Sequence, residues 1–236
     1  MFNSHARIER VTFGAGREAW IVDDALHDPE ALRRVAIKGR GNFAAAPFNA
    51  YPGLEWRMGA DVDEPLSDFF ALRLRAALGG RRTRSMYSRL SLATLQPHEL
   101  RPLQRLCHRD RFGTGADELV AACTLYLFDD PRLGGTAFFN PKCPLPEIDA
   151  RIRHWNSLTD EAFSADIGAA PAYLIDSNAW FECIGVVPAR FNRAVFYDGS
   201  GFHSSHIAWP ERLSADPAQG RLTLNGFFVC RRSLVR

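Results

Sequence analysis

Near Met86 the hydrophobic pattern of this chain changes period, and that change restricts the folds open to it. Before it, apolar residues recur at helical spacing in two segments. The first is opened by Asp28-Pro29-Glu30, carries Leu32, Val35 and Ala36, and is closed by Gly39. Asp28 suits the N-cap, Pro29 the first helical position, Glu30 the first turn and Gly39 the C-terminal stop. The second begins at Glu64-Pro65, carries Leu66, Phe69, Phe70, Leu72 and Leu74, and runs to Leu78 before Gly79-Gly80. From Met86 to Leu95 polar and apolar residues alternate instead, the period of a half-buried strand. Further strands are expected at Leu119 to Phe128, Thr136 to Phe139, Phe181 to Val187, Phe191 to Tyr197 and Leu222 to Val229. Asp129-Asp130-Pro131 and Gly134-Gly135 bracket a turn between the first two of these. Pro146 to Ala165 interrupts the series with Ile148, Ile152 and Trp155 at helical spacing. Helices first and strands after predict a mainly β fold, a sandwich or jelly roll with helices packed on one face. Thr12 to Val22 is strand-like around Gly14 and Gly16, and Ala44 to Met58 reads as a loop around Pro47, Pro52 and Gly53 that holds Phe48, Tyr51 and Trp56.

Composition narrows the function classes. The 236 residues are 46% hydrophobic and 24% charged, enough for one domain over 1–236, with a helical support region over about 1–85 and a β core over about 86–230. A net charge of +2 gives no reason to expect nucleic acid as a partner. Five widely spaced cysteines without a Cys-x-x-Cys argue against a disulfide framework and fit a reducing cytoplasm. The N-terminus has no signal pattern, and no apolar run approaches the ~20 residues of a membrane span. Lys38 and Lys142 are the only lysines, a bias that reads as the codon usage of a GC-rich bacterial genome.

The chemistry centres on Leu106-Cys107-His108-Arg109-Asp110-Arg111-Phe112. Side chains at i and i+2 of an extended segment share a face, so His108 and Asp110 can offer an imidazole nitrogen and a carboxylate oxygen to one ion. Such pairs also arise on solvated edges, so the other residues decide. His203, just after the turn Asp198-Gly199-Ser200-Gly201 and Phe202, is the favoured second imidazole. His206 competes for that role; three positions apart in an extended segment, the two face opposite ways. Two His and one carboxylate on one side of a metal leave open positions, as in non-haem Fe(II) oxygenases. Further on, Arg221, Thr223 and Asn225 alternate with Leu222 and Leu224. An inward-facing Arg needs an anion, and a guanidinium fork suits a carboxylate. Tyr126 has a hydroxyl that can reach the same anion.

In order, His108-x-Asp110, Thr124-Leu125-Tyr126-Leu127, Gly134-Gly135-Thr136-x-Phe138, a distal His203 and Arg221-x-Thr223 resemble the Fe(II)/2-oxoglutarate-dependent dioxygenases, in particular their prolyl 4-hydroxylase-like branch. The likeness is closer still to an uncharacterised bacterial subgroup with strands of the Asn192-Arg-Ala-Val-Phe-Tyr197 and Gly220-Arg-Leu-Thr-Leu-Asn225 type. It runs from about Ser88 to Val229. The resemblance implies a double-stranded β-helix with helices buttressing one sheet. It implies Fe(II) held by His108, Asp110 and His203, and the distal carboxylate of 2-oxoglutarate on Arg221 with Tyr126 and Thr223 as helpers. O2 would be the second cosubstrate and a hydroxylated small molecule, amino acid or peptide the product. Halogenases of the superfamily lack the carboxylate ligand, so Asp110 disfavours that chemistry. Arg221 lies further beyond His203 than the family's basic residue usually does, and Ile207 to Gly220 reads as an inserted loop. The rival reading is a jelly-roll module that binds a metal or small molecule without catalysis; it has no need of Arg221. Arg101, Arg105, Arg109 and Arg111 around the first motif read as a solvated basic rim, with contact to an acidic substrate as the alternative, and Tyr51, Trp56, Trp180 and Trp209 as aromatic candidates for a substrate pocket.

Overall fold

The computed structural model describes residues 1–46, 50–110, 115 and 117–233. Pro47 and Phe48 of the expected loop, and Arg111 and Phe112 after the first motif, lie outside the described residues. In chain order the main elements are β1 (Ile8–Thr12), β2 (Glu18–Val22), α1 (Pro29–Lys38), β3 (Ala44–Ala45), β4 (Gly53–Arg57), α2 (Ala60–Arg73), β5 (Gly80–Ala93), β6 (Glu118–Tyr126), β7 (Gly135–Pro141), α3 (Leu145–Trp155), α4 (Asp160–Ile167), β8 (Phe181–Val187), β9 (Ala194–Asp198), β10 (His203–His206) and β11 (Arg221–Arg232).

Among the described residues the strands form an eight-stranded sheet, ordered β1-β2-β9-β6-β11-β5-β4-β3, and a three-stranded sheet, ordered β10-β7-β8. The named pairings are antiparallel. After β6 the chain crosses to the small sheet for β7 and β8, returns for β9, crosses again for β10 and returns for β11. This alternation between two facing sheets is the double-stranded β-helix. Because side chains alternate across a strand, β11 serves two layers at once. Leu222, Leu224 and Phe228 join Leu90 and Leu92 of β5 and Leu66, Phe69 and Phe70 of α2 in one core, on the outer face of the large sheet. Phe70 and Phe228 stack with centroids 3.9 Å apart. Tyr126, Phe138, Val195 and Tyr197 fill a second core between the sheets.

Several sequence expectations need correction. Helices do not flank one face alone. α1 and α2 cover the large sheet, whereas α3 and α4 pack Ile148, Trp155 and Phe163 onto Phe139 and Phe181 of the small one. The predicted helix over Pro146 to Ala165 is two helices, split where Thr159 caps α4 by accepting from the Ala162 N–H. α2 starts at Ala60, not Glu64, with Gly59 as its extended N-cap and Asp61 and Asp63 in its first turn, and it ends at Arg73; Pro65 sits inside it. Proline prefers the first helical position, which is why the sequence placed the start too late. The region over 1–85 is not only helical support: β1 and β2 extend the large sheet at one edge and β3 and β4 at the other. The segment read as a loop over Ala44 to Met58 therefore contains a strand that pairs Gly53 with Ala93 and Glu55 with Ser91 of β5. Its mixed polarity, GLEWR, hid it.

The first helix follows its sequence signals. Asp28 accepts a hydrogen bond from the Ala31 N–H at 2.9 Å, Pro29 opens the helix and Gly39 ends it. Removing such a cap typically costs about 1 kcal/mol. Asp28→Ala is expected to lower the unfolding free energy by that amount, seen as a lower urea midpoint without a change in the slope of the transition, whereas Asp28→Asn, which keeps an acceptor, should be near neutral.

Candidate metal and anion site

Two backbone bonds build the first part of the site. His108 N–H donates to the His203 carbonyl at 2.9 Å and His203 N–H to the His108 carbonyl at 2.9 Å, so the first motif joins the small sheet at the free edge of β10. Two residues on, Asp110 N–H donates to the Gly199 carbonyl at 2.7 Å. The i, i+2 relation expected from sequence thus places His108 and Asp110 on one side, facing His203. One ligand atom from each lies within 4.8 Å of the others. His108 Nε2 is 3.8 Å from Asp110 Oδ1, and His203 Nε2 is 3.6 Å from Asp110 Oδ2. Between them is the space of a small cation. His206 is not in this group: it pairs with Gly135 further along β10.

The three side chains form a donor set that could hold a metal ion. His203 Nδ1 is 2.9 Å from the Gly201 carbonyl, an arrangement that puts the proton on Nδ1 and turns the Nε2 lone pair to the cluster. Burial lowers the pKa of both imidazoles to about 4, helped at His108 by the neighbouring His203 ring, so both are neutral at physiological pH. Although the His108 side chain keeps 49% of its surface open to the cavity, its imidazole sits deep enough for desolvation to dominate. Burial raises the Asp110 pKa, opposed by His108 and Arg89. Asp110 Oδ2 is buried and has no hydrogen-bond partner among the described residues, an uncompensated acceptor that a cation would satisfy.

Gly199 holds this carboxylate in place. A Cβ there would stand 2.5 Å from Asp110 Oδ2 and 3.1 Å from its Cβ. Gly199→Ala is therefore expected to displace Asp110 and weaken divalent metal binding by about tenfold or more, the size of effect typical of a lost outer-shell contact. Anaerobic metal titration checks this, and an unchanged affinity would show that the turn has slack.

The second part lies on the large sheet. Arg221 is 2% exposed and donates from Nη2 to the Gly135 carbonyl at 2.8 Å, while its Nε is buried with no partner. It lines a recess of about 50 Å³ together with Tyr51, Thr136 and Asn225, and the recess reaches His108, Asp110 and His203. Tyr126 and Thr223 stand one layer behind this wall. The Tyr126 hydroxyl and Thr136 Oγ1 are 2.7 Å apart, and Thr223 is in polar contact with the Tyr51 phenol. Burial raises the Tyr51 pKa, with Arg221 opposing. Tyr51, read from sequence as a loop aromatic and a candidate for the substrate pocket, reaches the site because β4 pairs Gly53 with Ala93, which is itself paired with Arg221.

A wider cavity of about 260 Å³ adjoins the recess and shares Tyr51, Arg89, His108 and Asp110 with it. Of the other aromatic candidates, Trp56 packs edge-on to Phe43, Trp180 packs against Trp155, and Trp209 is exposed; none of these lines the cavity. The basic rim is also corrected. Arg105 is 5% exposed and tied to Ser164 and the Ala169 carbonyl, whereas Arg109 is a cavity wall. No helix among the described residues is long and apolar enough to cross a membrane.

The chain is similar in fold to a Pseudomonas putida prolyl-4-hydroxylase (13% identity, 93% of this chain and 95% of that one covered, TM-score 0.45). It is similar to HygX from Streptomyces hygroscopicus with nickel and 2-oxoglutarate bound (11%, 90% and 82%, TM-score 0.49). It is also similar to an N-substituted L-amino acid dioxygenase from Burkholderia ambifaria (11%, 97% and 99%, TM-score 0.42). No curated protein matches the sequence. A family model matches residues 4–228, and the chain belongs to that family, DUF6445, described as a family of unknown function.

Proposed function

We propose that this DUF6445 protein is an Fe(II)- and 2-oxoglutarate-dependent dioxygenase of the hydroxylase type. One observation carries the reading: a cluster of two neutral imidazoles and a carboxylate with an unsatisfied oxygen opens onto a recess whose far wall is a buried arginine with an unsatisfied N–H. Each half lacks what the other half's ligand would bring. A metal alone leaves Arg221 without an anion, and an anion alone leaves Asp110 without a cation. A dicarboxylate that also chelates a metal answers both.

His108, Asp110 and His203 would hold the iron, which supplies O2 activation coupled to decarboxylation of 2-oxoglutarate. Arg221 would pair with the distal carboxylate, with Thr136, Tyr51 and Asn225 at the same wall. The recess has the volume of one or two waters, so it admits a terminal carboxylate while the body of the cosubstrate lies toward the wider cavity. Tyr126 and Thr223 would act from behind, Tyr126 orienting Thr136 and Thr223 orienting Tyr51. The substrate is a small molecule or peptidyl group entering the wider cavity.

The test is succinate release by the Fe(II)-loaded protein with 2-oxoglutarate, across a panel of amino acids, organic acids and peptides. Turnover that requires both Fe(II) and 2-oxoglutarate supports the reading. Metal binding with no 2-oxoglutarate binding would favour a non-catalytic metal-binding module.

A further inference from the structure

The wider cavity has a charge pattern that the proposed reaction does not use. Among the described residues lining it, the charged ones are Arg89, Arg109 and Asp110. Asp110 belongs to the metal cluster. The acids that partner the two arginines, Glu55 and Asp149, do not line the cavity but stand behind it.

Arg89 is paired with Glu55. Its Nε and Nη1 reach Glu55 at 2.9 and 3.1 Å, and the Glu55 side chain is only 8% exposed. The guanidinium carbon lies 4.8 Å from the Phe227 ring centre and 5.8 Å from that of Tyr51. Ion pair and rings together fix the fork, and Nη2 donates to no described residue. Arg109 is fixed in the same manner, paired with Asp149 and lying 4.6 Å from the Phe202 ring centre. Tyr87 and Phe227, cross-strand partners on β5 and β11, are apolar lining of the same cavity and stack with centroids 4.8 Å apart.

We propose that this cavity selects an organic carboxylate with a planar apolar body, its carboxylate on Arg89 and its body against Tyr87 and Phe227. The proposal deepens the oxygenase reading, on which it rests for calling the cavity the substrate side. A pre-fixed guanidinium edge loses little freedom on pairing with a carboxylate, and its donors match that anion's geometry. A neutral guest would cover Nη2 without giving it an acceptor of equal strength. Arg109 on the neighbouring wall adds positive potential of the same sense.

The experiment uses the full chain loaded anaerobically with Fe(II) and saturating 2-oxoglutarate. Benzoate, phenylacetate and indole-3-acetate, with the three matching amides, are titrated in by calorimetry. At least one acid is expected to bind about tenfold or more tightly than its amide, the increment of one charge-assisted contact. Arg89→Gln should erase that preference and Arg89→Lys should keep part of it, each variant being compared at its own saturating Fe(II) and 2-oxoglutarate, with thermal unfolding reporting that it is folded. Absence of an acid preference in every pair overturns the proposal. So does a preference that survives both Arg89→Gln and Arg109→Gln, and so does an Arg89→Gln variant that loses 2-oxoglutarate instead. Repeating the titrations without iron or cosubstrate separates the two readings: an acid preference in a protein that never binds 2-oxoglutarate leaves the anion pocket standing and removes the oxygenase, and 2-oxoglutarate binding without acid preference does the reverse.

Discussion

Replacing His203 with Ala is expected to abolish stoichiometric Fe(II) binding, with a loss of more than about 100-fold, beyond the range that removal of an outer-shell partner costs. His203 is the ligand whose geometry is most fully determined. Its ring is 4% exposed, its Nδ1 is engaged with the Gly201 carbonyl, and its Nε2 points at Asp110. Without it, His108 and Asp110 remain as a two-ligand site in which one imidazole is half open to the cavity. His108→Ala and Asp110→Ala should each produce a similar loss. His206→Ala should not, since that ring lies outside the cluster. Anaerobic titration with Fe(II), read by calorimetry or by retention after desalting, checks all four variants. Undiminished binding in the first three would remove the metal site, and loss in His206→Ala alone would move the distal ligand to that residue.

The grouping of His108, Asp110 and His203 was legible in the sequence because it rests on local rules. The i, i+2 spacing of His108 and Asp110 needs only an extended backbone, and the choice of His203 over His206 needs only the alternation of a strand that begins after a Gly-rich turn. The inward face of β11 was equally readable, since Leu222 and Leu224 alternate with Arg221 and Thr223. What could not be read were pairings between distant segments. Tyr51 comes from a stretch with no strand-like alternation, and it reaches Arg221 only through β4 pairing with β5 and β5 with β11. Arg89 was distinguishable from the solvated arginines of β5, such as Arg82 and Arg84, only once Glu55 was known to stand beside it. Gly199 looked like any turn glycine until Asp110 was found against it. In the fold, the late start assigned to α2 shows the same limit: a proline is a strong local signal, but the packing of Leu66, Phe69 and Phe70 under the large sheet secures a helix that includes it.

Arg221→Ala is expected to weaken 2-oxoglutarate binding by about 100-fold or more while leaving Fe(II) binding intact. Breaking one side of a buried charge pair typically costs ~3–5 kcal/mol, and each ~1.4 kcal/mol is a factor of ten in affinity. The environment places Arg221 at the strong end of that scale. It is 2% exposed, it is bordered by the rings of Tyr126 and Phe128 at 6.0 and 5.8 Å, and its hydrogen bond to the Gly135 carbonyl leaves Nε unsatisfied among the described residues. A guanidinium held in so little water gains more from an arriving carboxylate than a surface arginine would. Arg221→Lys should recover part of the loss, because a point charge keeps the attraction but not the two-pronged geometry. The measurement is the absorption band of the anaerobic Fe(II)–2-oxoglutarate complex, titrated in each variant, with thermal unfolding of the same samples to separate lost affinity from lost fold. No band in the wild type with iron bound would end the dioxygenase reading. A band whose affinity is indifferent to Arg221→Ala would keep the enzyme class and move the anchor. Arg89 would then be the next anchor, because it lines both the recess and the cavity, whereas Arg193 lines neither. In that event the carboxylate selectivity proposed for the wider cavity would fall with it, since one fork cannot serve cosubstrate and substrate at once.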